Sequence, residues 1–129
     1  MKVMFINGSP RKNWNTDILM KNALEGAVSA EAEAEMVYLY DLKFRGCVSC
    51  MACKLKKEPR PNRCIQIDDL TTVLDKVHEA DAVVLGSPIY FSEATGEMRS
   101  FWMQRHGRGS LRSLQAMQLT HPRNLRSYK

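Results

Sequence analysis

Lys2-Val3-Met4-Phe5-Ile6-Asn7-Gly8-Ser9-Pro10-Arg11-Lys12-Asn13-Trp14-Asn15-Thr16 holds a short apolar run, then a polar loop, then the start of a periodic segment. Val3 to Ile6 shows no alternation of apolar and polar residues, the pattern of a strand covered on both faces, as in parallel sheets. Beyond the loop, Met20, Ala23, Leu24, Ala27 and Val28 recur at steps of three and four, which predicts a helix over about Thr16 to Ala30. The opening of the chain is therefore a strand, a tight polar connection and an amphipathic helix.

The same alternation continues outward. Met36 to Tyr40 predicts a second strand, and Ala82 to Leu85 a third. Between them, Leu70, Val73, Leu74 and Val77 mark a second helix, opened by Asp68 and Asp69, whose carboxylates suit a helix N-terminus and need no catalytic role. A further helix is expected from near Thr95 through Met98, Phe101 and Trp102. Strands alternating with helices imply right-handed crossovers, hence an α/β, three-layer sandwich with a parallel sheet. Only three strands are recognisable, so the sheet is expected to be incomplete. Residues 1–105 are assigned to one domain and residues 106–129 to a basic tail, the pattern being truncated or altered after about residue 105. An unpaired edge on the third strand predicts a homo-oligomer. Ligands gather at strand carboxyl ends, which here are the loops after Ile6, Tyr40 and Leu85.

The formal net charge is +5, yet it is unevenly distributed. Residues 1–100 carry 13 Lys and Arg against all 14 Asp and Glu, while residues 101–129 carry 6 basic residues and no acid. A nucleic-acid surface would need its cations on the folded body, so that reading rests on the tail alone and is not favoured. No apolar stretch is long enough for a membrane span and the start does not resemble a signal peptide, so a soluble, cytoplasmic protein without a membrane partner is expected. No GxSxG elbow supports a serine hydrolase.

The first loop lies between a buried strand and a helix start, where backbone N–H groups and the helix dipole favour an anion. It has neither the glycine spacing of a dinucleotide fingerprint nor the Gly-Lys-Ser/Thr of a P-loop. Ser9, Asn15 and Thr16 offer hydrogen bonds to a phosphate monoester, with Arg11 or Lys12 adding charge at the mouth. The competing explanation is an ordinary turn in which Asn15 or Thr16 caps the helix. In the third loop, Ser87 to Phe91 supplies an apolar and aromatic wall with backbone donors, suited to a flat ring with polar edges, or else a plain strand end turned by Pro88.

Cys47, Cys50 and Cys53 stand at three-residue steps, with Cys64 farther on. Three thiolates so spaced suit three corners of a [4Fe–4S] cluster, with Cys64 as the fourth ligand across a gap containing Pro59, Pro61 and the basic Lys54, Lys56, Lys57, Arg60 and Arg63. Free thiols account for the residues equally well. Zinc is less favoured, since a structural site usually pairs two separated knuckles.

The run GSPRKNWNT resembles the flavin mononucleotide (FMN) phosphate loop of NADPH-dependent FMN reductases and the related iron–sulfur flavoproteins. The likeness extends through the cysteine motif, Asp68-Asp69-Leu70, Ala80-Asp81, Leu85-Gly86-Ser87-Pro88-Ile89-Tyr90-Phe91 and Thr95-Gly96-Glu97-Met98-Arg99, covering about residues 1–105 in that family's order. It implies a flavodoxin-like fold. It further implies FMN held at the phosphate by Ser9, Arg11, Asn15 and Thr16, within a loop that also contributes Lys12 and Asn13, and lined at the ribityl chain and isoalloxazine by Pro88, Ile89, Tyr90 and Phe91. In iron–sulfur flavoproteins the matching cysteines ligate a [4Fe–4S] cluster, so Cys47, Cys50, Cys53 and Cys64 are the implied metal ligands. Trp14 departs from the pattern, standing where these proteins usually have glycine.

The expected activity is that of an FMN-dependent oxidoreductase of the NAD(P)H-dependent flavin or quinone reductase type, with NAD(P)H as substrate and a small electron acceptor. The alternatives are an iron–sulfur electron carrier fed by ferredoxin, and an inactive fragment or binding module acting through its basic tail.

Overall fold

A computed structural model describes residues 1–55 and 64–105; the basic tail and the proline-containing gap between Cys53 and Cys64 lie largely outside the described residues. The elements run β1 (Lys2–Asn7), α1 (Asn15–Ser29), β2 (Glu33–Tyr38), α2 (Asp69–Glu79), β3 (Ala82–Gly86), β4 (Ile89–Tyr90), β5 (Glu93–Ala94) and α3 (Gly96–Arg105), with single 3₁₀ turns at Leu39–Asp41 and Ala52–Lys54.

β1 is the centre of a parallel sheet in the order β2-β1-β3. Its alternate side chains reach opposite faces, as a period of two requires. Val3 and Phe5 pack with Met20 and Ala32 against α1, while Met4 and Ile6 join Leu70, Val73, Leu74 and Val77 of α2 and Met98 and Phe101 of α3. Both faces are thus covered, which explains why the strand reads as an unbroken apolar run. The order 2-1-3 is the beginning of the doubly wound, flavodoxin-like arrangement, and its switch point lies between β1 and β3.

Two boundaries differ from the sequence expectation. β2 starts at Glu33 rather than Met36, because Glu33 continues the ladder beside Lys2 and its N–H donates to the Met1 carbonyl at 2.9 Å. Glu33 and Glu35 are tolerated there since β2 pairs on one side only among the described residues, and Glu35 forms an ion pair with Lys76. β2 also ends at Tyr38, where the chain turns into the 3₁₀ segment that carries Tyr40. α2 begins as expected: the Asp68 side chain accepts the Leu70 N–H at 3.0 Å and Thr71 Oγ1 accepts the Asp68 N–H at 3.1 Å, a reciprocal cap. The hairpin β4–β5 was not anticipated from the sequence. Among the described residues no helix is long and apolar enough to cross a membrane.

Candidate functional site

The loop after β1 is tied down at both ends. Asn7 is fully buried; its side-chain amide donates to Asp17 Oδ1 at 2.9 Å and its Oδ1 accepts the Ser9 N–H at 2.9 Å. Gly8 donates its N–H to the Gly86 carbonyl at 2.7 Å, and its own carbonyl accepts from Thr95 Oγ1 at 2.8 Å. A Cβ at Gly8 would lie 2.9 Å from Met98 Cε and 3.1 Å from Thr95 Oγ1, so the close approach requires glycine. Ser9 is buried, and its hydroxyl exchanges hydrogen bonds with the Arg11 backbone at 3.1 and 3.2 Å. That hydroxyl shapes the loop from within, a role the sequence did not separate from phosphate contact.

Asp17 organises the far end. It has 0 % relative exposure, and Oδ2 accepts the backbone N–H of Asn13 at 2.6 Å and pairs with Lys21 Nζ at 2.9 Å. Asn13 stands at φ 62°, a left-handed conformation asparagine tolerates, and its Oδ1 accepts from Lys21 Nζ at 2.8 Å. Burial pushes the Asp17 carboxyl up, but the Asn13 N–H, the Lys21 ammonium and the Tyr38 hydroxyl outweigh it and hold the group below its ordinary value.

Trp14 is the N-cap of α1, with extended backbone and no side-chain cap bond; its carbonyl accepts the Ile18 N–H at 2.9 Å. Asn15 and Thr16 belong to the first helical turn, so the competing explanation, in which one of them caps the helix, does not hold. The first-turn N–H groups have no carbonyl one turn back. The Arg11 guanidinium lies 4.6 Å from the Trp14 ring centroid. Lys12 instead reaches Asp41 at 2.6 Å and sits 4.8 Å from the Tyr38 ring; the Asp41 bond is the main cause raising its pKa, against the effect of desolvation.

After β3, Ser87 Oγ accepts the Thr95 N–H at 3.1 Å and donates to the Pro88 carbonyl at 2.9 Å, closing the base of the β4–β5 hairpin. Its two-residue loop, Phe91 and Ser92, has φ of 48° and 65°, the signature of a primed turn. Ile89, Tyr90 and Phe91 are exposed, Phe91 at 103 %, while Pro88 is half-buried. Tyr40, from the loop after β2, brings its phenol to Glu97 and Thr95; burial and the Glu97 carboxylate push it up to about 12. Thr95 therefore meets all three carboxyl-end loops, through Gly8, Ser87 and Tyr40. The sequence reading assigns Asp17, Thr95 and Tyr40 no site role, although Thr95 lies in the family-like run and Tyr40 at a ligand-gathering strand end. An aspartate in a first helical turn looks like a dipole partner, and nothing local distinguishes the other two.

The four cysteines fall between the loop after β2 and the start of α2. All four are free thiols; Cys47 and Cys50 are exposed, Cys53 and Cys64 partly so. Among the described residues no three His, Cys, Asp or Glu side chains gather where they could hold a metal ion. The backbone turns left-handed at Ser49 (φ 56°) and Met51 (φ 60°), between successive cysteines, and takes a 3₁₀ turn at Ala52–Lys54. The expected four-cysteine centre is therefore not assembled in this structure, although Gln66 Nε2 donates to the Gly46 carbonyl at 3.5 Å and ties the segment after Cys64 to the one before Cys47.

The sequence profile of the family described as NADPH-dependent FMN reductase matches residues 1–119. An iron-sulfur flavoprotein of Archaeoglobus fulgidus is 41 % identical over 100 residues, covering 78 % of this chain and 46 % of the relative. One from Methanocaldococcus jannaschii is 36 % identical over 99 residues, covering 77 % and 49 %. The chain spans about half the length of these curated relatives. Among solved structures, a flavone reductase superposes with a TM-score of 0.58 at 29 % identity, over 78 % of this chain and 28 % of that one. The NAD(P)H:quinone oxidoreductase of Methanothermobacter marburgensis gives 0.62 at 18 % identity, over 81 % and 54 %, a likeness of fold alone.

Proposed function

Since the chain belongs to the NADPH-dependent FMN reductase family, we propose that it acts as an FMN-dependent oxidoreductase, with NAD(P)H as electron donor and a quinone or another small molecule as acceptor. The observation that carries this reading is the convergence of three loops on Thr95 at the β1/β3 switch point. The start of α1, whose N-cap Trp14 makes no side-chain cap bond, and a wall of exposed apolar side chains thus lie at the carboxyl end of the strands, where open α/β sheets bind ligands.

The residues present suit the flavin. Arg11 and the first turn of α1, with Asn15 and Thr16, provide donors and charge for a phosphate monoester. Pro88, Ile89, Tyr90 and Phe91 provide the apolar wall for a ring system. Asp17, with the loop bonds of Ser9 and Asn13, holds the loop on which the donors of Arg11 and the α1 start, and Ser9 and Asn13 themselves, would meet the phosphate. The chemistry that FMN supplies when bound is reversible hydride acceptance. The protein's part is to hold the phosphate, orient the ring and leave one face open to donor and acceptor.

The test is titration of the purified chain with FMN, followed by NADH or NADPH oxidation with a quinone present. Saturable binding with flavin-dependent nicotinamide oxidation is expected, and absence of binding overturns the proposal.

A second reading routes electrons through a cluster at Cys47, Cys50, Cys53 and Cys64, with ferredoxin as donor. It is supported by the three-residue cysteine spacing and by the names of the archaeal relatives. The thiols are not gathered here, so none of the steps above depends on them. Iron and acid-labile sulfide measured on protein purified without oxygen separate the two readings: about four irons per chain would support the second.

A further inference from the structure

Among the described residues three cations lie at the first loop, Arg11, Lys12 and Lys21, and two of them have carboxylate partners. Lys21 pairs with the buried Asp17 at 2.9 Å, and Lys12 pairs with Asp41 at 2.6 Å. Among the described residues Arg11 has no carboxylate partner; its guanidinium rests 4.6 Å from the Trp14 ring centroid. Trp14 is itself 55 % exposed. A ring of this size left so open is not explained by core packing, and its side chain makes no cap bond. The contact with Arg11 is the interaction that gives it a definite place.

We infer that Trp14 is a positioning residue, which holds the Arg11 guanidinium as the loop's uncommitted positive charge and thereby sets the preference for a phosphorylated flavin over an unphosphorylated one. The inference rests on the FMN reading above. An arginine has many rotamers to lose on binding an anion, and a side chain already stacked on an aromatic face has lost part of that freedom. A cation–π contact draws on the guanidinium's charge without using up its N–H donors, so an Arg–phosphate contact and the Arg–Trp contact are compatible. Lys12, nearer in sequence to the helix, is the weaker candidate, since using it would break its bond to Asp41.

The test is the ratio of riboflavin to FMN dissociation constants, taken by flavin fluorescence on the full chain and on Trp14→Leu, Trp14→Phe, Arg11→Gln and the Arg11→Gln/Trp14→Leu double variant. Riboflavin affinity reports the ring wall and the integrity of the fold, so the ratio isolates the phosphate. Trp14→Leu is expected to lower the ratio about three- to fivefold, the scale of a partly exposed cation–π contact. Trp14→Phe should restore most of it. Arg11→Gln should lower it about tenfold or more and abolish the effect of Trp14→Leu in the double variant. Equal weakening of both flavins by Trp14→Leu, or undiminished effects in the double variant, overturns the inference while leaving flavin binding intact. If the unaltered chain binds neither flavin, the FMN reading itself fails. The pair is then tested with inorganic phosphate: quenching of the Trp14 emission, identified against Trp102 by its absence in Trp14→Phe, that is lost in Arg11→Gln supports it, and no quenching overturns it.

Discussion

The buried Asp17 carboxylate accepts the backbone N–H of Asn13 at 2.6 Å, across a turn that Asn13 makes at φ 62°. The same carboxylate accepts from Asn7, at the end of the central strand, so one side chain joins strand, loop and helix. Replacing Asp17 by Ala strands the Asn7 amide and the Asn13 N–H without an acceptor. A loss of about 2–4 kcal/mol is expected in urea unfolding, the scale of breaking a buried charged hydrogen-bond group.

The acid dependence of that stabilisation has a defined sign. The Asp17 pKa is lower in the folded chain than its ordinary value of 3.8. Its contribution is therefore complete above the unfolded value and disappears as pH falls through the lower, folded one. Unfolding curves of the unaltered chain and of Asp17→Asn should differ near neutrality and draw together below that window.

Glycine at position 86 is required by the packing of α1 on the sheet. A Cβ there would fall 2.4 Å from Met20 Sδ and 2.6 Å from its Cγ, and Met20 is buried. Gly86→Ala should cost about 1–3 kcal/mol, less in a Met20→Ala background, where the clash is gone. Thermal unfolding of the four variants in the cycle measures the coupling.

The primed turn at Phe91 and Ser92 places two residues with side chains where asparagine and glycine are preferred. Phe91→Asn with Ser92→Gly should therefore stabilise the chain by about 0.5–1 kcal/mol of relieved strain, seen as a slightly higher melting temperature. Under the proposed function it should weaken FMN and riboflavin alike, through the loss of the exposed ring. A fall confined to FMN would contradict the assignment of this hairpin to the ring system.

The Tyr40 phenol should remain protonated to about pH 12. After burial, the Glu97 carboxylate is the next cause of the shift, so Glu97→Gln should move its titration downward. Phenolate absorbance, with Tyr40→Phe identifying the signal, checks the direction.

How far the fold could be read in advance depended on whether the deciding contacts were local. β1 declares itself because both faces are buried, and α2 because Asp68 caps it ahead of a regular apolar stripe. β2 was read three residues late, since Glu33 and Glu35 are permissible only beside an open edge, which no local pattern reports. The β4–β5 hairpin was invisible because its turn contains no glycine or asparagine. At the site, Arg11 and the Pro88-to-Phe91 wall were legible as residue types on loops. The partners that fix them were not: Trp14 for Arg11 and Thr95 for the loop bases are known only after distant segments meet. The cysteine spacing was legible as a motif, but gathering its thiols depends on the path between them, including the left-handed turns at Ser49 and Met51.

β1 is bonded on both edges and covered on both faces, and it ends on Asn7, whose side chain reaches both Ser9 and Asp17. Amides of such a strand exchange with solvent only when the whole domain opens. The anchor of the first loop therefore persists for as long as the domain stays folded, whereas the hairpin tip, with Phe91 fully exposed, has no burial to protect its amides in the same way. Under the proposed function the anionic end of the ligand would meet the protected wall and its ring the exposed one, so hydrogen exchange should be slow at β1 and fast at residues 89–94.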